Sequence, residues 1–204
     1  MYQNAYKGIS KVFLAQILKI IGVIATVIGL ALAIVGLNEA NLAEAGGGAI
    51  AALAGMIIAI IALIFNIIGL NQARKDQNYF KIAFVMTLFA LAISIIATFA
   101  ISANSSAGTW MKFFSTLMEL LAFEYVVKGV IVLAEALNNK GMAAFGRKMM
   151  ILITIGYLAL LVIELWGNTA ANANGIITMI ASVIELVVYV MYIIFLAKSK
   201  KMLA

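Results

Sequence analysis

The stretch from Trp110 to Leu137 is long and apolar enough to cross a bilayer, yet it carries Glu119, Glu124, Lys128 and Glu135. An acidic or basic side chain at the centre of a spanning helix costs about 2.5–3.5 kcal/mol on translocon scales. Such groups are retained where partners neutralise them, or where they take up and release a proton or a cation. Glu124 and Lys128 stand at i,i+4 in the order that favours an ion pair, so one neutralisation is expected within the helix. Glu119 lies about 140° round the helix from Glu124, which asks for polar partners on two faces. A further acid, Glu185, has no charged residue close to it on its own helix. It shares a stripe with Thr178, Ser182, Tyr189 and Tyr192.

Three arrangements of these groups are open. Lys128 bridges Glu124 and Glu185 as a structural clasp. Alternatively, Glu185 is protonated and hydrogen-bonded to the hydroxyls beside it. In the third, one carboxylate binds a proton or small cation and releases it to alternate sides, as coupled transport requires. The candidate ion- or substrate-binding residues are therefore Glu124, Glu185, Lys128, Glu119, Tyr189 and Ser182.

Composition argues against most other chemistry, leaving only a Glu/Lys/Tyr site acting on lipid as an enzymatic alternative. The 204 residues contain no His and no Cys, and the sole Asp, Asp76, falls between hydrophobic runs. The usual metal ligands and nucleophile–base pairs are missing, so neither a metal, a cofactor nor an enzymatic activity is expected. Gly46, Gly47 and Gly48 lack the spacing of a phosphate-binding loop and are expected to give a flexible entry to a helix. The eleven Met are dispersed and make no metal array.

The elements that must position these residues are membrane helices. Hydrophobic residues make up 66% of the chain and charged residues 11%, against about 25% charged in soluble domains. The apolar runs approach the roughly 20 residues that a bilayer core requires and do not alternate as barrel strands do. The expected fold is an all-α integral membrane bundle, a single transmembrane domain over residues 1–204. Its helices are expected at about 12–37, 48–70, 79–102, 110–137, 148–167 and 175–198. The first run contains Ala31-Leu32-Ala33, which resembles a signal cleavage site, but it is longer than a signal peptide core and is read as retained.

Lys7, Lys11, Arg74, Lys75, Lys81, Lys140, Arg147, Lys148, Lys198, Lys200 and Lys201 all fall at alternate helix ends. By the positive-inside rule both termini are expected to be cytoplasmic. The net charge of +6 is thus a topology signal, and nucleic acid is not an expected partner. Trp110 and Trp166 at the outer ends, with Tyr2, Tyr6 and Tyr79 at the inner ones, fit an interfacial belt. Counting along the helices at about 1.5 Å per residue, Glu124 and Glu185 fall near the midplane. Glu119 and Glu164 belong to the outer half, Lys19, Lys128 and Asn66 to the inner half. Lys19 and Glu135 are expected to reach the cytoplasmic interface, while Lys112 and Glu164 snorkel to the outer one.

Lys11, Lys81 and Lys148 open the odd-numbered helices at similar spacing, which suggests three tandem helical hairpins. The same punctuation also follows from topology alone. Gly22, Thr26, Gly29, Ala33 and Gly36 repeat at 4-3 spacing in the first helix, as do Gly48, Ala52, Gly55, Ala59, Ala62, Asn66 and Gly69 in the second. Ala83, Thr87, Ala90, Ser94 and Ala97 continue the pattern in the third. Lipid supplies no hydrophobic force between helices, so small residues that let backbones approach hold them together. Gly22, Gly29, Gly36, Gly55, Ala59 and Asn66 are therefore assigned to helix packing, and the first three helices to one tight unit.

Two functions fit these features. One is a proton- or cation-linked transport or permeation protein using midplane carboxylates. The other is a non-transporting accessory, immunity, sensor or scaffold protein whose buried charges are structural. The expected location is the cell membrane, with lipid and either a second copy or a membrane protein as partners. The preference for Lys over Arg suggests a bacterial source.

Overall fold

The computed structural model describes the backbone of residues 2–39, 41–102, 106–169 and 175–204. The side chains of residues 101–102, 106, 109, 163–169 and 175–182 are outside that description, so Glu164, Trp166, Thr178 and Ser182 are not placed. Among the described residues the chain is all helical and has no strand. The helices are α1 (Gln3–Asn38), α2 (Leu42–Ala73), α3 (Asn78–Ser102), α4 (Ser106–Ala136), α5 (Lys140–Thr169) and α6 (Gly175–Leu203). Four of them, α1, α2, α3 and α5, are long and apolar enough to cross a membrane. α4 is set apart by Lys112, Glu119, Glu124, Lys128 and Glu135.

α1, α2 and α5 start ahead of their apolar runs, where polar side chains satisfy their first N–H groups. The carboxylate of Asp76, in the α2–α3 turn, accepts from the Ala5 N–H at 2.7 Å and from the Asn4 amide at 2.8 Å. It thereby satisfies a free donor at the start of α1 and places a negative charge at the positive end of that helix. Asn41 accepts from the Glu44 N–H and donates to its carboxylate, both at 3.3 Å. This N-cap starts α2 at Leu42, six residues before the expected boundary. Gly46, Gly47 and Gly48 are consequently helical, not a flexible entry. Asn138 closes α4 at φ 53°, in the left-handed region that Asn tolerates. Asn139 Oδ1 then caps α5 by accepting from the Met142 N–H at 3.0 Å.

Each helix packs against its neighbours in sequence, and α1 also packs against α6, so the six helices close into a ring. The most extensive interface is α1 with α2, followed by α3 with α4; α2 with α3 is the smallest. The expected α1–α2–α3 unit is thus corrected: α3 belongs with α4. Phe80 of α3 packs over Gly129, where an added Cβ would lie 2.8 Å from the ring. The Ser115 hydroxyl of α4 also donates to the Ala90 carbonyl at 2.9 Å. These contacts draw the small-residue edge of α3 towards α4.

The α1–α2 interface is built from backbone. A Cβ at Gly22 would stand 2.8 Å from the Gly55 carbonyl oxygen and 3.0 Å from the Ala59 nitrogen. Gly29 faces Gly48 and Ala52, and Gly36 faces Ala45 and Asn41. Gly55 in turn meets Thr26 and Gly22. Such close approach is what small residues permit in lipid. The aliphatic core gathers at one end of the ring, where Ala5, Ile9, Leu70, Phe80, Leu133, Met149 and Leu203 are buried in one cluster. Both chain termini therefore lie at that same end.

Candidate functional site

Above this core α1, α2, α3, α4 and α6 line a partly open cavity of about 270 Å³. Its polar lining comes from Gln16 and Lys19 on α1, Asn66 on α2, Thr87 and Ser94 on α3, and Glu119 on α4. Val23, Leu63, Leu91 and Phe123 supply apolar wall. The smallness of Ala59, Ala62 and Ala90 opens the space, since these side chains line it without filling it. The cavity exists where the tight α1–α2 pair faces α3 and α4 across the weak α2–α3 contact.

The two charged groups in it come from α1 and α4, which stand opposite one another in the ring. Among the described residues, Lys19 and Glu119 form no ion pair, and the Glu119 carboxylate receives no hydrogen bond. Lys19 instead lies over the ring of Tyr189, with its ammonium 5.6 Å from the ring centre. Tyr189 is fixed by α1 as well: its hydroxyl donates to Gln16 Oε1 at 2.7 Å and approaches the Gln16 carbonyl oxygen at 3.1 Å. This bond across the α1–α6 contact accounts for the burial of Gln16, since a buried amide needs partners.

Beside the cavity lies a second, much smaller pocket of about 10 Å³, room for a single water. It is lined by Glu185, Tyr157, Tyr189 and Tyr192 with Phe123, Ile153 and Val188. Phe123 and Tyr192 border both spaces. Their rings meet edge to face with centroids 4.5 Å apart, and Phe123 also touches Tyr157 at 5.8 Å. An aromatic partition therefore separates the Glu119 cavity from the Glu185 pocket. Glu119 and Glu185 both stand within electrostatic reach of Tyr157 and Tyr189.

The remaining candidates are placed elsewhere. Glu124 is half-buried between α4 and α5 and accepts a hydrogen bond from the Thr154 hydroxyl at 2.5 Å. Lys128 does not pair with it and does not bridge to Glu185. Its ammonium lies 4.8 Å from the ring centre of Tyr79 on α3, which in turn stacks on Tyr125 at 6.2 Å. The favourable i,i+4 spacing loses here because a hydroxyl and an aromatic face, each on a neighbouring helix, answer the two charges separately. Tyr189 bonds to Gln16 and not to Glu185, which corrects the expectation that it serves the acid on its own helix. Glu135 forms an ion pair with Arg147 at 2.6 Å between exposed side chains.

Two further residues from the sequence analysis join the cavity. Asn66, assigned to the packing seam, and Lys19, expected to reach the cytoplasmic interface, both line the cavity. Gln16, Thr154 and Tyr157 were not singled out from the sequence. Gln16 stands three residues before Lys19, and Thr154 three before Tyr157. Polar pairs at i,i+3 on otherwise apolar helices are the signal that could have found them. Among the described residues no group of His, Cys, Asp and Glu could hold a metal ion. No family model, no curated protein and no solved structure matches this chain.

Proposed function

We propose that this chain is a six-span membrane protein, with both termini cytoplasmic, that moves a small polar or charged solute through its helix ring. Glu119 and Glu185 are its proton- or cation-accepting groups. The observation that carries this reading is the cavity lined by both Glu119 and Lys19, which do not pair. Ionisable groups inside membrane helices face bundle interiors or water-filled cavities and mark pathways, and this pair lines a cavity shared by five of the helices. The aromatic partition supports a two-compartment arrangement, with Glu119 on the solute side and Glu185 behind Phe123 and Tyr192. The alternation of basic and uncharged helix ends supports the orientation. It places the aliphatic core at the cytoplasmic end of the cell-membrane protein and the cavity nearer mid-depth.

The accessory reading, in which the charges are structural, is favoured by one residue. Glu124 is held by Thr154 and lines neither space, so it serves as a clasp. Glu119 has no comparable tie. The two readings separate in proteoliposomes loaded with a pH-sensitive or cation-sensitive dye. Glu119→Gln and Glu185→Gln should each lower flux at least tenfold, while Glu124→Gln keeps most of it. Wild-type flux from both of the first two variants would remove the transport reading.

A further inference from the structure

We propose that the cavity between α1 and α4 binds a small zwitterion, an α-amino acid with an apolar side chain, whose carboxylate meets Lys19 and whose ammonium group meets Glu119. The inference rests on the transport reading and narrows its solute.

The argument begins with charge. Charged side chains on membrane helices pair with one another or face a polar cavity, and Lys19 and Glu119 are both exposed to open space. Lys19 and Glu119 share one cavity, yet among the described residues neither is in an ion pair. They project from helices on opposite sides of the ring, so ring geometry keeps them apart. A simple cation would answer Glu119 and leave Lys19 opposed. A simple anion would do the reverse, and an uncharged solute would answer neither. One molecule carrying both charges at a fixed separation neutralises both residues at once.

The rest of the lining fits the same solute. Asn66 and Ser94 offer neutral hydrogen-bonding groups beside the charges, while Leu63, Leu91 and Phe123 form an apolar wall against which a side chain packs. The volume of about 270 Å³ is just below the roughly 300–1,000 Å³ of pockets for drug-sized ligands, which limits the occupant to a small molecule. The Tyr189 ring holds the Lys19 ammonium 5.6 Å from its centre, and the Gln16 bond holds Tyr189. The cationic end of the site is thus oriented before a ligand arrives, which lowers the ordering cost of binding. Binding would also tie α1 to α4 across the gap where α2 and α3 barely meet, so occupancy would draw the two sides of the ring together.

The test uses the full chain in lipid nanodiscs and three probes: L-leucine, 4-methylpentanoate, which lacks the ammonium group, and 3-methylbutylamine, which lacks the carboxylate. Equilibrium binding of radiolabelled leucine should be saturable, with each analogue competing at least tenfold more weakly. Lys19→Gln should remove the preference for leucine over the amine, and Glu119→Gln the preference over the carboxylate. Lys19→Arg and Glu119→Asp, which keep the charges, should retain both preferences and so control for misfolding. Equal competition by all three probes, or no saturable leucine binding, overturns the proposal. If leucine fails to bind while Glu119→Gln still abolishes proton or cation flux, the solute class falls and the transport reading stands. If both binding and flux are absent, both readings fall.

Discussion

α1 and α2 meet through Gly22, Gly29, Gly36, Gly48 and Gly55 along most of their length, whereas α4, α5 and α6 meet through Phe123, Tyr157, Tyr192, Val188 and Phe195. In the first region, backbone touches backbone and there is no room for a side chain, let alone a solute. In the second, large side chains keep the helix axes apart, and their imperfect fit leaves the pocket beside Glu185. The difference shows how one chain can be rigid and hollow at once. Small residues joined to a like helix make a rigid pair. Other small residues, Ala59 and Ala62, facing Leu91, Phe123 and Glu119, leave a cavity.

The largest test of this contrast is to put a side chain into the seam. Gly29→Val should separate α1 from α2 and destabilise the protein by about 3 kcal/mol, at the upper end for overpacking, read as a lower midpoint in denaturing mixed micelles. Gly47→Ala should do the opposite, because no atom outside its own helix lies within 4 Å of the added Cβ. Alanine gains roughly 0.5–1 kcal/mol over glycine within a helix. If the two variants behave alike, the α1–α2 interface is not the rigid element described here.

A middle-sized effect is expected where the aromatic half is held by polar groups. Thr154→Val removes the donor to the half-buried Glu124 and should cost about 1.5–3 kcal/mol, the range for a hydrogen bond to a charged group. The Ser115→Ala change, which releases only a carbonyl at the α3–α4 contact, should cost about 1 kcal/mol. Reversal of that order in paired unfolding curves would show that Glu124 is not a clasp. The smallest effect belongs to the exposed pair at the α4–α5 turn. Arg147→Ala should change stability by about 0.5 kcal/mol or less, and that change should shrink as salt is raised. An effect that persisted at high salt would place Glu135 and Arg147 in a drier setting than their 48% and 68% exposure indicates.

Much of the α1–α2 seam was legible in the sequence, because a seam of small residues needs only correct spacing along each helix. Gly22, Gly29 and Gly55 carry no side chain whose direction must be known. Helix ends were less legible. Asp76 caps α1 from the far end of α2, and nothing in the spacing of Asp76 and Ala5 announces that bond. The candidate site was legible as a list of residues but not as groupings. Glu119 and Lys19 stood in different halves of the membrane by simple counting, yet they line one cavity. Glu124 and Lys128, the obvious pair by spacing, turn to different neighbours.

The sequence by itself determined that apolar helices make up this chain, where the ionisable residues lie along them, and which faces of α1 and α2 can approach closely. Tertiary structure decided that α3 sides with α4, that Lys19 and Glu119 share a space, and that Glu185 is screened from it by Phe123 and Tyr192. The reason is geometric. Spacing of residues fixes which side chains share a face of one helix, but the partner of that face depends on how every neighbouring helix is rotated. That rotation is set by the packing of the whole ring.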